Sequence, residues 1–252
     1  MGDQPLVQMR GITKRFGGVT ALEDVNFEAR AGEVTAIVGD NGAGKSTLIK
    51  ILTGVYQPSE GDILLDGKPL EMSSHSDAIA VGIDAVYQTL ALADHLTPAA
   101  NMFLGNELTK SFAGIQMLDN KRMTAEAERV LFERLGVRLR SMDVQTDSLS
   151  GGQRQAVAIA RAVYHEDLRV LVMDEPTAAL GPQETARTLK LIKTLREQGL
   201  AVILISHSLD DVFEVADRVH VQRRGRAVGV VETSNSSVQD VLGLIVGAQE
   251  AA

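Results

Sequence analysis

The chain has 252 residues, 44% hydrophobic and 23% charged, which excludes a disordered or fibrous sequence and allows one large or two small globular domains. It has no cysteine, so disulfides, thiolate metal sites, iron–sulfur clusters and cysteine nucleophiles are excluded. Thirty-three acidic against 25 basic side chains leave a net charge of −8, which argues against a nucleic-acid partner gripped by a broad basic face. The cluster Arg223, Arg224 and Arg226 reads as a solvated loop edge. No basic segment followed by an apolar run opens the sequence, so no secretory signal is expected. The longest apolar stretches, 201–205 and 241–246, fall far below the ~20 residues that cross a bilayer.

In chain order, residues 1–30 and 61–70 read as antiparallel strands, with Asp66-Gly67 as a hairpin turn. Val34 to Val38 (VTAIV) reads as a strand buried on both faces, followed by a helix over 45–53. From about 94 to 146 no strong strand run occurs. A helix over 124–135, closed by Gly136, makes that stretch a helical insertion between sheet strands. Residues 170–173 (VLVM) and 201–205 (AVILI) are two more buried strands. Between them a helix over 182–198 starts at Pro182 and is closed by Gly199, so the pair implies a right-handed crossover in a parallel sheet. The tail after Thr233 reads as weakly amphipathic and peripheral.

Directly after the first buried strand stands Gly39-Asp40-Asn41-Gly42-Ala43-Gly44-Lys45-Ser46, followed by Thr47. It fits GxxxxGK[S/T], in which glycines let backbone N–H groups curl around phosphate oxygens and the next helix points its positive end at them. Lys45 then reaches the β- and γ-phosphates and the Ser46 hydroxyl suits Mg²⁺. A carboxylate ending a buried strand needs a cation or a solvent crevice, so Asp174 reads as organising Mg²⁺ through water. Glu175, next along, is placed to polarise an attacking water. Ser206-His207 ends the third buried strand at the same sheet edge, where His207 suits a γ-phosphate contact. A second anion site is expected at Leu149-Ser150-Gly151-Gly152-Gln153, where Ser150 caps a helix and Gly151 and Gly152 bare its first N–H groups.

Together, the phosphate loop, LSGGQ, the Asp-Glu strand end and the histidine make the chain resemble the ATP-binding subunits of ABC transporters over nearly its whole length. The resemblance implies an α/β fold with a P-loop NTPase core on a mostly parallel sheet, an antiparallel β subdomain and a helical signature subdomain. The whole of 1–252 would be one domain, with the helical part inserted over about 94–165. It implies ATP and Mg²⁺ as cofactors. Phe16 would stack on adenine, residues 39–47 would hold the phosphates, and Ser46, Gln88 and Asp174 would serve Mg²⁺. Gln88 would also relay occupancy to a membrane partner. Lys45, Glu175 and His207 would be the catalytic groups, Glu175 as base and His207 as γ-phosphate switch.

Ser150, Gly151, Gly152 and Gln153 would contact ATP on the opposite protomer of a head-to-tail dimer. Further partners would be transmembrane permease subunits and, indirectly, a solute-binding protein, with the chain on the cytoplasmic face of the membrane. One departure stands out: Gly181 occupies a position where the family usually has an acidic residue that communicates across the dimer. The run from Gly54 to Gly105, with TAALG, is most similar to simple-sugar importers of the ribose and fructose type. Many of those fuse two ATPase modules in one chain, whereas one is found here. The alternatives are a branched-chain amino acid importer ATPase, a non-transport ABC ATPase and a small-molecule kinase.

Overall fold

The structure is a computed structural model that describes residues 4–112 and 115–248. The first three residues of the expected N-terminal strands lie outside the described residues. β1 (Val7–Phe16) and β2 (Val19–Ala29) form an antiparallel hairpin. β3 (Val34–Val38) is buried at all five positions and leads through the phosphate loop into α1 (Lys45–Leu52). β4 (Glu60–Leu65) turns at Asp66 and Gly67, both at positive φ, into β5 (Lys68–Pro69). The turn signal in the sequence is borne out.

α2 (His75–Ala80) starts with a Ser74–Asp77 capping box and precedes β6 (Ile83–Val86). Next come α3 (Pro98–Met102), β7 (Thr109–Phe112), β8 (Ile115–Leu118) and α4 (Asn120–Arg129). α5 (Gly151–Val163) and β9 (Val170–Asp174) follow. The chain continues through α6 (Pro182–Glu197), β10 (Ala201–Ile205), α7 (Leu209–Val215) and β11 (Arg218–Arg223). It closes with β12 (Arg226–Glu232) and α8 (Val238–Val246).

The central sheet has the order β12-β11-β3-β10-β9-β6 and is parallel apart from β12. A second sheet, β2-β1-β4-β5, is antiparallel. Alternate residues of the central strands feed two cores. Val34, Ala36 and Val38 of β3 join α5 and α6 on one side, whereas Ile37 joins α1 and the antiparallel sheet on the other. Coverage of both faces explains why β3, β9 and β10 are almost wholly apolar runs. The C-terminal ends of β3, β6, β9 and β10 share one edge, the usual crevice for a ligand of an open α/β sheet.

Three expectations need correction. The inserted segment is not purely helical, because β7 and β8 pair Thr109 with Leu118; these strands are short and β8 is exposed, so they carry no buried-strand signature. The helix expected over 124–135 begins earlier, at Asn120, where the Asp119 side chain accepts from the Arg122 N–H at 3.3 Å. It continues past Arg129 as one π-helical turn, Val130–Arg134. The tail is not peripheral: α8 buries Val241 and Leu244, and Arg223 donates to the Leu244 carbonyl at 3.3 Å. Arg226 pairs with Glu23 at 2.6 Å, so two of the three clustered arginines tie elements together.

Candidate functional site

The loop after β3 bends tightly because Gly39 and Gly44 adopt φ of +146° and +99°. A side chain at Gly39 would overlap the carbonyl oxygen of Gln222, and one at Gly44 would come within 2.8 Å of the Ala21 carbonyl oxygen. Asp40, Asn41, Gly42 and Ser46 lie at the surface, Thr47 is half-buried and Ala43 is buried. Lys45 is only 7% exposed, and its ammonium donates to the carbonyls of Gly39 at 2.6 Å and Asp40 at 3.0 Å. Burial pulls its pKa below the usual lysine range, against the opposing pull of Glu175, Asp174 and Asp40. The ammonium is thus held inside the curl of the loop by two backbone carbonyls.

Asp174 ends β9, and Glu175 follows in the left-handed region at φ +52°, its N–H donating to the Ile205 carbonyl at 2.9 Å. Burial raises the carboxyl pKa of both. Lys45, Lys50 and His207 oppose this at Asp174; His207 is the first to oppose it at Glu175. The Glu175 side chain is 11% exposed, and His207 Nε2 stands 3.1 Å from its Oε1. That approach lies outside hydrogen-bond geometry, so the buried Oε1 has no hydrogen-bond partner among the described residues. A carboxylate oxygen that meets His207 at ion-pair distance but accepts no hydrogen bond there keeps its lone pairs available at the sheet edge. Ser206 is buried, and its Oγ accepts from the Ser208 N–H at 3.1 Å, shaping the turn that presents His207.

Gln88 is exposed just past β6 and lines a cleft of about 310 Å³ together with Leu90, Gly151, Arg154, Glu175 and Leu180. Phe16, at the end of β1, is 43% exposed; it meets Tyr56 edge-on at 5.2 Å, with the Lys14 ammonium 5.1 Å from its ring centre. A flat, accessible ring backed by another aromatic can stack a planar base.

Residues 39–47, Asp174, Glu175 and His207 therefore gather at one sheet edge, with Gln88 beside them. The LSGGQ residues do not close over the phosphate loop. Ser150 caps α5: its Oγ accepts from the Gln153 N–H at 3.4 Å, and Gln153 Oε1 accepts from the Ser150 N–H at 3.0 Å. The Gly152 N–H donates to Glu184 at 3.4 Å. Ser150 and Gln153 face a separate, open cleft with Gly181, Glu184 and Arg187. A side chain at Gly181 would meet nothing within 4 Å, so the missing acidic group is not a steric exclusion.

Sequence reasoning missed Thr53 and Tyr87, whose hydroxyls bind α1 to the residue before Gln88, and Tyr56 behind Phe16. The adjacency of Tyr87 to Gln88 was the only available signal, because the partners come from distant parts of the chain.

Residues 22–178 match the family model described as ABC transporter. The chain is 44% identical over 255 residues to the fructose import ATP-binding protein FrcA of Rhizobium meliloti, covering 99% of this chain and 97% of that protein. It is 42% identical over 247 residues to the ribose import ATP-binding protein RbsA 2 of Escherichia coli O157:H7, covering 98% of this chain but 47% of that one. The chain thus spans about half the length of that ribose relative. Among solved structures, an ATP-binding cassette in a dimeric post-hydrolysis state bound to ADP and Pi superposes with a TM-score of 0.74 at 26% identity, covering 90% of this chain and 98% of that one. With more than half the sequence inside the matched span and a relative aligned nearly end to end, the chain belongs to the ABC transporter family.

Proposed function

We propose that this chain is the ATP-hydrolysing subunit of an importer of a simple sugar, acting as a head-to-tail pair with permease subunits. The observation that carries it is the gathering, at one sheet edge, of the folded-back Lys45 ammonium and the hydrogen-bond-free Glu175 oxygen beside His207. The sugar assignment rests on the fructose and ribose relatives, which leave the branched-chain amino acid alternative without support.

In this reading Lys45 exchanges the Gly39 and Asp40 carbonyls for the β- and γ-phosphates, and residues 39–47 cradle them with backbone N–H groups. The oxygen donors of Ser46, Gln88 and Asp174 suit Mg²⁺, which when bound offsets phosphate charge. Glu175 accepts the proton of the attacking water as its oxygen bonds to the γ-phosphorus and the bond to the β–γ bridging oxygen breaks, releasing ADP and phosphate. Burial raises the Glu175 pKa, which strengthens it as a base near neutral pH. His207, beside that carboxylate, touches the γ-phosphate, and Phe16 stacks on adenine. Ser150, Gly151, Gly152 and Gln153 complete the site on the partner protomer. The segment over about 94–165 acts as the helical part of a single module spanning 1–252, and Gln88 reports occupancy to the permease.

Among the described residues no helix is long and apolar enough to cross a membrane; the proposed place is the cytoplasmic face of the membrane, against the permease. A solute-binding protein is the indirect partner, and nucleic acid is not one. Reconstitution with permease and binding protein in vesicles tests the reading. ATP hydrolysis and sugar entry are expected to rise together when ribose or fructose is presented. Hydrolysis without uptake of any sugar, or copurification with ribosomes instead of a permease, overturns it.

A further inference from the structure

β11 lies against the strand that feeds the phosphate loop, with His220 beside Ile37 and Val221 beside Val38. Val219 and Val221 enter the helix-covered core. His220 and Gln222 alternate onto the other face, where the His220 ring meets Phe27 edge-on at 5.3 Å. Gln222 is 0% exposed. Neither Nε2 nor Oε1 of its amide has a hydrogen-bond partner among the described residues, and the same holds for both ring nitrogens of His220. A buried amide left unpaired destabilises a fold, and groups of this kind call for a reason.

The place of the amide supplies one. A side chain on Gly44 would come within 3.0 Å of Gln222 Nε2, and the Gln222 carbonyl fills the space beside Gly39. At the tip of the β11–β12 hairpin, the Gly225 N–H donates to the Ala43 carbonyl at 3.0 Å. The hairpin thus touches the outer side of the loop at Gly39, Ala43 and Gly44. When loop N–H groups turn toward phosphate oxygens, loop carbonyls turn outward, toward an amide that holds two free donors.

We propose that Gln222 is a positioning residue for the phosphate loop: its buried amide, beside His220, bonds the loop backbone around Gly44 when phosphates occupy the cradle. The inference rests on the reading of residues 39–47 as a phosphate loop, and it goes beyond that reading by adding a residue from β11.

The test compares the full chain with its Gln222→Leu and Gln222→Met variants by calorimetric titration with ATP and Mg²⁺ and by thermal melting. Both replacements remove an unpaired buried amide, so the melting temperature is expected to hold or rise. The affinity for ATP is expected to fall about tenfold in both, the worth of roughly one lost hydrogen bond. Higher stability with weaker binding is the opposite of what a merely structural residue gives. Unchanged ATP affinity, a loss in Leu but not in Met, or a parallel fall of melting temperature and affinity each overturns the inference. Failure of the unsubstituted chain to bind ATP would instead overturn the phosphate-loop reading, and with it the role of Gln222.

Discussion

The hydroxyls of Thr53 and Tyr87 lie 3.0 Å apart, joining the end of the helix that leaves the phosphate loop to the residue just before Gln88. Thr53 also donates to the Ile49 carbonyl at 2.9 Å, so it keeps one bond if Tyr87 loses its hydroxyl. Tyr87→Phe is expected to cost about 1 kcal/mol of stability. It should leave ATP affinity within about twofold while slowing hydrolysis several-fold, because Gln88 loses its tether to α1. Denaturant melts and steady-state phosphate release check this; unchanged turnover would make the contact purely structural.

Glu175→Gln keeps the side-chain shape but removes the group that accepts a proton. Hydrolysis is expected to fall by about 10²–10⁴, the usual worth of a general base, with ATP affinity retained. The unhydrolysed ATP should then hold two protomers together by mass action. Phosphate release and sedimentation with ATP measure both effects, and near-normal turnover would remove Glu175 from its role.

Ser150→Arg tests the site shared between protomers. The substitution removes an N-cap, at about 1 kcal/mol, so a modest fall in melting temperature is expected. ATP binding to the isolated subunit should persist, since Ser150 lies apart from the phosphate loop. In the Glu175→Gln background, ATP-dependent dimerisation should be lost, because a guanidinium fills the space meant for the partner's γ-phosphate. A persisting dimer in sedimentation rejects the sandwich.

His220 gives the fold a defined acid sensitivity. Its complete burial lowers the pKa from the ordinary 6.5 to about 4. Above pH 6.5 the ring is neutral in both folded and unfolded chains, and its environment adds no pH dependence. As pH falls through 6.5 toward 4, only the unfolded chain takes up the proton, so stability drops by about 3 kcal/mol over that window. His220→Leu should remove this slope while carboxylate contributions remain common to both proteins. Denaturant melts at pH 7 and pH 4.5 provide the comparison, and equal slopes would count against the burial of the ring.

What the sequence makes legible depends on whether local pattern and tertiary surroundings agree. Val34–Val38, apolar but for Thr35, and Ala201–Ile205, apolar throughout, are buried at every position, so the sheet edge that collects Lys45, Asp174 and His207 is readable in advance. Pro182 at the start of α6 and Ser150 at the start of α5 act locally and are equally plain. By contrast, β8 exposes Ile115, Met117 and Leu118, which a strand pattern would have hidden. β11 alternates valine with His220 and Gln222, the pattern of a strand with one wet face, yet Phe27 of β2 and the phosphate loop at Gly39 and Gly44 cover that face. The tie between Thr53 and Tyr87 spans distant sequence, and no local rule announces it.

The order of the central strands also governs when this protein can first work as it leaves the ribosome. β3 is flanked by β10 and β11, so both neighbours of the strand feeding the phosphate loop come from the last quarter of the chain. At ~5–20 residues per second, about 10–40 seconds separate emergence of the loop from arrival of the strands that frame it. During that interval a strand with four apolar residues of five has no edge partners and is a target for holding chaperones and proteases. Nascent chains stalled before Arg218 should be cleaved readily near Val34, whereas chains extended well beyond Arg223 should resist, which makes synthesis of β11 the event that frames the site.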